Sequence, residues 1–97
     1  MDKKTIEILQ DYFATQPIMK AWLFGSYARG EQTADSDVDI MVSYDDNARV
    51  SLFTVGGIYM DISRILGKKI DLVEEGTLKP YAADSVNNDK ILIYERA

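Results

Sequence analysis

The sequence predicts an α/β (α+β) layer fold, a small mixed β-sheet of about four strands with helices packed on it. Three observations predict it. Apolar or strictly alternating runs of strand length recur at residues 18–24, 37–43, 69–73 and 91–94. Stretches with apolar residues at helical spacing stand between them. Glycine, proline and polar clusters separate the two kinds of segment. Residues 1–97 are expected to form a single domain with a thin core, as a chain of this length allows.

The first helix is expected over residues 4–15, with Ile6, Leu9 and Phe13 along one face and Pro17 closing the stretch. Residues 18–24 form a compact apolar run interrupted only by Lys20, which suits a strand. Gly25-Ser26 breaks it, residues 27–31 read as a short helical turn, and residues 32–36 as a polar loop. Residues 37–43 alternate strictly and read as a second strand, followed by a polar connection over residues 44–47. The longest helix is expected over residues 48–66, with Gly67 as its C-cap. A third strand over 69–73, a turn over 74–77, a helix over 79–87 and a last strand over 91–94 complete the order α-β-α-β-α-β-α-β.

The composition excludes much. There is no cysteine, hence no disulfide and no thiolate metal site, and no histidine, hence neither the usual general base nor the usual zinc ligand. Any metal must be held by oxygen, which favours magnesium, manganese or calcium. The net charge is −5 and no basic run exceeds Lys68-Lys69, so stable binding to nucleic acid is not expected. The N-terminal stretch is amphipathic rather than a leader core, and no apolar run approaches the roughly 20 residues of a membrane span. A cytoplasmic protein is expected.

Chemistry concentrates in the second strand. Val38, Ile40 and Val42 point one way, into the core, and Asp37 and Asp39 the other. Two carboxylates roughly 6–7 Å apart at their Cα atoms repel, and a divalent cation between them removes the conflict. Taken alone, Asp-x-Asp also describes a solvated strand face. The preceding Leu23-Phe24-Gly25-Ser26 is an apolar strand ending in a turn into a helix. There glycine permits close approach of the backbone to a ligand, free N–H groups suit phosphate, and Ser26 adds a hydroxyl. Arg29 reads equally as a phosphate counter-charge or a solvated surface residue. Asp71, between Ile70 and Leu72, faces opposite to both, and joins the other two aspartates if its strand pairs beside the second.

Gly25-Ser26-Tyr27-Ala28-Arg29-Gly30-Glu31, then Ser36-Asp37-Val38-Asp39-Ile40, then the distal Asp71, together resemble the motif of the polymerase-β-type nucleotidyltransferase superfamily. The sequence is most similar to its minimal nucleotidyltransferase (MNT) family of prokaryotes. That family matches almost the whole chain in length, down to Asp71-Leu72-Val73-Glu74-Glu75-Gly76-Thr77-Leu78 and the closing Ile93-Tyr94-Glu95-Arg96.

The resemblance implies a nucleotidyltransferase-type fold and a metal-dependent enzyme moving AMP from ATP to a hydroxyl. Gly25 and Ser26 would hold the β- and γ-phosphates, with Arg29 steadying them. Asp37 and Asp39 would bind two magnesium ions, or manganese. Asp71 would bind the catalytic ion and draw the proton from the attacking hydroxyl. It further implies a HEPN-type helical toxin as partner, the chain serving as its antitoxin by adenylylating a tyrosine. Larger members of the superfamily carry an acceptor-binding domain, and none is expected within these residues. The alternatives are a non-catalytic antitoxin that binds its toxin by contact, an adenylyltransferase for a small molecule such as an aminoglycoside, and a calcium-binding structural protein. Intact motif positions, the lack of an acceptor domain and the lack of a loop of oxygen ligands count against them in turn.

The long helix carries two apolar stripes. Val50, Phe53, Gly57, Ile58, Ile62 and Ile65 are expected in the core. Leu52, Val55, Tyr59 and Met60 form a second stripe, read either as a protein-docking surface or as a face buried by the first helix. The segment around Tyr81 and Tyr94 is the other candidate docking surface.

Overall fold

The computed structural model describes residues 1–97 and runs α1 (Lys3–Phe13), β1 (Ile18–Phe24), α2 (Gly25–Arg29), β2 (Val38–Tyr44), α3 (Leu52–Leu66), β3 (Ile70–Glu74), α4 (Pro80–Asp89) and β4 (Ile91–Glu95). The four strands form one mixed sheet in the order β3-β2-β1-β4. The expected fold class and element order are therefore the observed ones.

β1 pairs antiparallel with both β2 and β4, whereas β2 and β3 run parallel. A parallel neighbour needs a crossover, and the 15-residue α3 supplies it. Alternation assigns the faces. Val38, Ile40 and Val42 of β2 join Leu23 of β1, Ile70 of β3 and Ile93 of β4 in a buried layer. Leu9 and Phe13 of α1 and Ile58 and Ile62 of α3 close over it. The opposite face carries Phe24, Asp39 and Asp71 at adjacent register positions, with α2 and α4 beside them.

Boundaries differ from expectation where side chains compete for backbone groups. α1 starts one residue early because Asp2 accepts the Thr5 N–H at 2.8 Å. α3 starts at Leu52, not at residue 48, because Ser51 and Thr54 form a reciprocal capping box. Its end is as expected, at Gly67, which has φ +62°. α2 begins at Gly25 itself, two residues before the expected turn, and Asp37 lies just ahead of β2 rather than within it.

The stripe assignment on α3 needs correction. Ile58 and Ile62 are buried, but Phe53 is 93% exposed and Ile65 and Gly57 also face outward. Val55, assigned to the second stripe, is half-buried, while Leu52, Tyr59 and Met60 of that stripe are exposed. Helical spacing shows which residues share a face. Which face meets the sheet depends on the crossover, and α3 turns Phe53 and Met60 away from it. α1 does not cover this face, so the burial alternative for Leu52 and Met60 fails. No helix of the structure is long and apolar enough to cross a membrane.

Candidate active site

The site is assembled at the β1–α2 turn and the neighbouring positions of β2 and β3. Phe24, the last residue of β1, stands opposite Asp39, and Asp39 stands opposite Asp71. Sequence alternation placed Asp71 on the correct face of its strand, and the parallel β2–β3 pairing supplies the contact that brings it beside Asp39. The crossover through α3 is what makes β3 the neighbour of β2.

Gly25 opens α2 in the left-handed region, φ +69°. A Cβ there would overlap Oδ2 of Asp39 and stand 3.0 Å from its Cγ. The turn thus lies directly against the carboxylate, a proximity only glycine allows. Phe24 supplies no side-chain cap to α2, so no side chain competes for the first-turn N–H groups. Ser26 follows within the same turn and is half-buried.

Asp39 is the most perturbed carboxyl of the site. Burial pushes its pKa above the ordinary carboxylate value, and the like charges of Asp71 and Asp37 add to the shift, with Arg29 opposing it. Asp37 and Asp71 themselves are exposed. No group of three or more carboxylates is gathered closely enough to hold an ion as it stands. The expected row of three aspartates is therefore open rather than a closed cage. Asp37, outside β2, and Asp71, at the sheet edge, have solvent into which mutual repulsion lets them relax. The donor set nonetheless fits a hard cation: it is all oxygen, it carries three negative charges, and its central member is destabilised by its neighbours.

Arg29 is not aimed at the turn. Its Nε donates to Glu31 Oε1 at 2.6 Å and its Nη1 to Asp89 Oδ2 at 3.0 Å, so it pins α2 to the end of α4. Both carboxylates, Glu31 first, raise its already high pKa. Asp89, 60 residues away in sequence, was invisible to any reading of local pattern.

Comparison with known proteins settles what kind of domain this is. The family model for "Polymerase beta, Nucleotidyltransferase" matches residues 3–97. The chain belongs to the polymerase beta nucleotidyltransferase family. This nucleotidyltransferase domain is 39% identical over 92 residues to a candidate protein adenylyltransferase of Methanocaldococcus jannaschii, covering 94% of this chain and 89% of the relative. Two solved structures share the fold. A toxin-antitoxin structure with AMP-PNP has a TM-score of 0.73 at 19% identity, covering 98% of this chain and 75% of that one. A tri-AMPylated Shewanella oneidensis HEPN toxin in complex with MNT antitoxin has a TM-score of 0.72 at 15% identity, covering 99% and 74%.

Proposed function

We propose that this nucleotidyltransferase is a protein adenylyltransferase that moves AMP from ATP to a hydroxyl, most suitably a tyrosine, of a HEPN-type toxin, and so acts as its antitoxin. The observation that carries the reading is the pressing of the Gly25 turn against Asp39, with Asp71 in register beside it. A turn that takes phosphate thereby adjoins carboxylates that need a cation. The relative from M. jannaschii supports the protein acceptor, and the neighbours with AMP-PNP and with a tri-AMPylated toxin support the donor and the partner.

Gly25 and Ser26 would hold the β- and γ-phosphates through backbone N–H groups and the Ser26 hydroxyl. Asp37, Asp39 and Asp71 would hold two magnesium ions, with manganese as a substitute of similar chemistry. When bound, such ions neutralise the triphosphate and lower the pKa of a hydroxyl. Asp71, exposed at the sheet edge, would take the acceptor's proton. The acceptor oxygen forms a bond to the α-phosphorus in line with the bridging oxygen, which departs with pyrophosphate. Catalysis is then mainly positioning and charge neutralisation, which needs no histidine. Arg29 would reach phosphate only after leaving Glu31 and Asp89.

The outer face of α3, with Leu52 88% and Phe53 93% exposed beside Tyr59 and Met60, is the candidate docking surface for the partner. Pyrophosphate release from ATP and magnesium, measured with and without the HEPN-type partner, tests the reading. Release is expected only with the partner present. Equal release with small-molecule acceptors and no partner would favour the aminoglycoside-type alternative.

A further inference from the structure

The sheet ends in β3 on one side and β4 on the other, and the two edges are finished differently. An edge strand carries unpaired N–H and C=O groups with which another chain can pair, and folded proteins usually blunt it. On β4 the register with β1 shifts between Ala21 and Trp22, and Gln10 of α1 donates its side-chain N–H to the Ile93 carbonyl at 2.8 Å. An irregular strand with a carbonyl already taken makes a poor template. β3 has neither device: its register with β2 runs without a shift from Val38↔Ile70 to Val42↔Glu74.

The backbone of β3 can be accounted for. The Val38 N–H donates to the Lys69 carbonyl at 3.0 Å, and the Glu75 N–H to the Val42 carbonyl at 2.9 Å. In a parallel ladder alternate residues bond to one neighbour. Asp71 and Val73 therefore serve β2, while Ile70 and Leu72 turn their N–H and C=O groups outward. No turn, loop or cap bond uses those groups. The open edge is thus the one that carries Asp71, and Leu72 beside it offers both a donor and an acceptor.

We propose that the acceptor enters as an extended segment of the partner, paired antiparallel with the free edge of β3, with its tyrosine opposite Asp71. The proposal rests on the reading that the acceptor is a partner tyrosine. Residues opposite one another across a ladder share a face. Bonds from Ile70 and Leu72 leave Asp71 at a position without backbone bonds of its own to the new strand, where facing side chains approach most closely. The tyrosine then rises on the face of Asp39 and Asp71. Its oxygen bonds to the α-phosphorus, its proton passes to Asp71, and pyrophosphate departs. Charge orients the segment. Exposed Lys68 and Lys69 precede the strand and exposed Glu74 ends it. An antiparallel segment fits best with a basic residue before its tyrosine and an acidic one after it.

Amide hydrogen exchange, read residue by residue by NMR, tests this. The chain is compared alone and with the HEPN-type partner, magnesium and α,β-methylene-ATP, which cannot release pyrophosphate. Alone, the Asp71 and Val73 amides are expected to be protected and those of Ile70 and Leu72 to exchange faster. In the complex the Ile70 and Leu72 amides should slow by about tenfold or more, the scale of one added hydrogen bond. Two variants isolate the outward donor. Leu72→Pro and Leu72→Ala both lose the side chain, but only the proline lacks the N–H. With ATP, transfer to the partner should be about tenfold lower in Leu72→Pro than in Leu72→Ala. Binding of ATP with magnesium should be equal in the two. Thermal melting checks that both fold, and the exchange measurement stands without them. A partner that gains AMP from ATP while its complex leaves the Ile70 and Leu72 amides as fast as in the free chain would overturn the added strand and leave the adenylyltransferase reading intact. Protection of both amides in the chain alone, rising with its concentration, would overturn it too, since the edge would then pair with a second copy. A partner that neither binds nor gains AMP would instead sink the reading on which the proposal rests.

Discussion

Gly25 and Asp39 are in such close apposition that a methyl group on the glycine would overlap the carboxylate. With φ at +69°, the same residue also occupies backbone space that a side chain disfavours by roughly 1–2 kcal/mol. Gly25→Ala should therefore lower stability by at least about that amount and displace Asp39, abolishing binding of ATP with magnesium. Ser26→Ala leaves the turn in place and should weaken ATP binding by about 1–3 kcal/mol, the scale of a hydrogen bond to a charged group. Calorimetric titration of both variants measures this, and wild-type affinity in both would move the phosphate site elsewhere.

Asp39→Asn separates charge from shape. Burial and the charges of Asp71 and Asp37 disfavour the Asp39 carboxylate in the free protein, so the neutral amide should leave the melting temperature equal to or slightly above that of wild type. Transfer should fall by about three orders of magnitude, because bound metal supplies several kcal/mol of barrier reduction. A large stability loss in this variant would mean that Asp39 is structural.

On α3, burial and exposure make opposite predictions for two apolar residues. Ile58, 1% exposed, should cost about 2–5 kcal/mol when cut to alanine. Phe53→Ser, on the outer face, should change stability by no more than about 0.5 kcal/mol yet reduce AMP transfer to the partner. Denaturant melts and a transfer assay read the two effects separately.

Alkaline pH should unfold the protein through its tyrosines. Tyr12 donates to Asp61 Oδ2 at 2.7 Å, and burial, then this bond, raise its pKa above the ordinary phenol value of 10.0. Burial, then Glu74, does the same for Tyr44. Both groups stay protonated in the folded chain at pH values where the unfolded chain ionises. Their stabilising effect is therefore complete below pH 10.0 and is lost as pH rises above it. Tyr12→Phe should cost about 1 kcal/mol at neutral pH and make the decline above pH 10.0 shallower. Urea melts across the alkaline range show whether the slope changes.

The chemistry-bearing strand faces were legible because alternation is a local property. Asp39 and Asp71 could each be assigned a face from their own neighbours, while their adjacency depended on strand order. Phe53 was misread because helical spacing groups residues without saying which group meets the sheet. The start of α3 was misread because Ser51 and Thr54 spend their hydroxyls on a cap, a competition that apolar periodicity does not register. The α2–α4 contact was illegible. Arg29 and Asp89 meet only after the chain has laid down β2, α3 and β3 between them, and neither has a local pattern that points to the other.

The most direct measurement follows the α-phosphate. Wild type and Asp39→Asn are incubated with magnesium and the HEPN-type partner, using ATP labelled at the α- or at the γ-phosphorus, and the partner is then isolated and mapped by mass spectrometry. The account predicts α-label on a partner hydroxyl with wild type, none from γ-labelled ATP, and none with Asp39→Asn. A partner that binds wild type yet gains no α-label, or one labelled as well by Asp39→Asn, would contradict it.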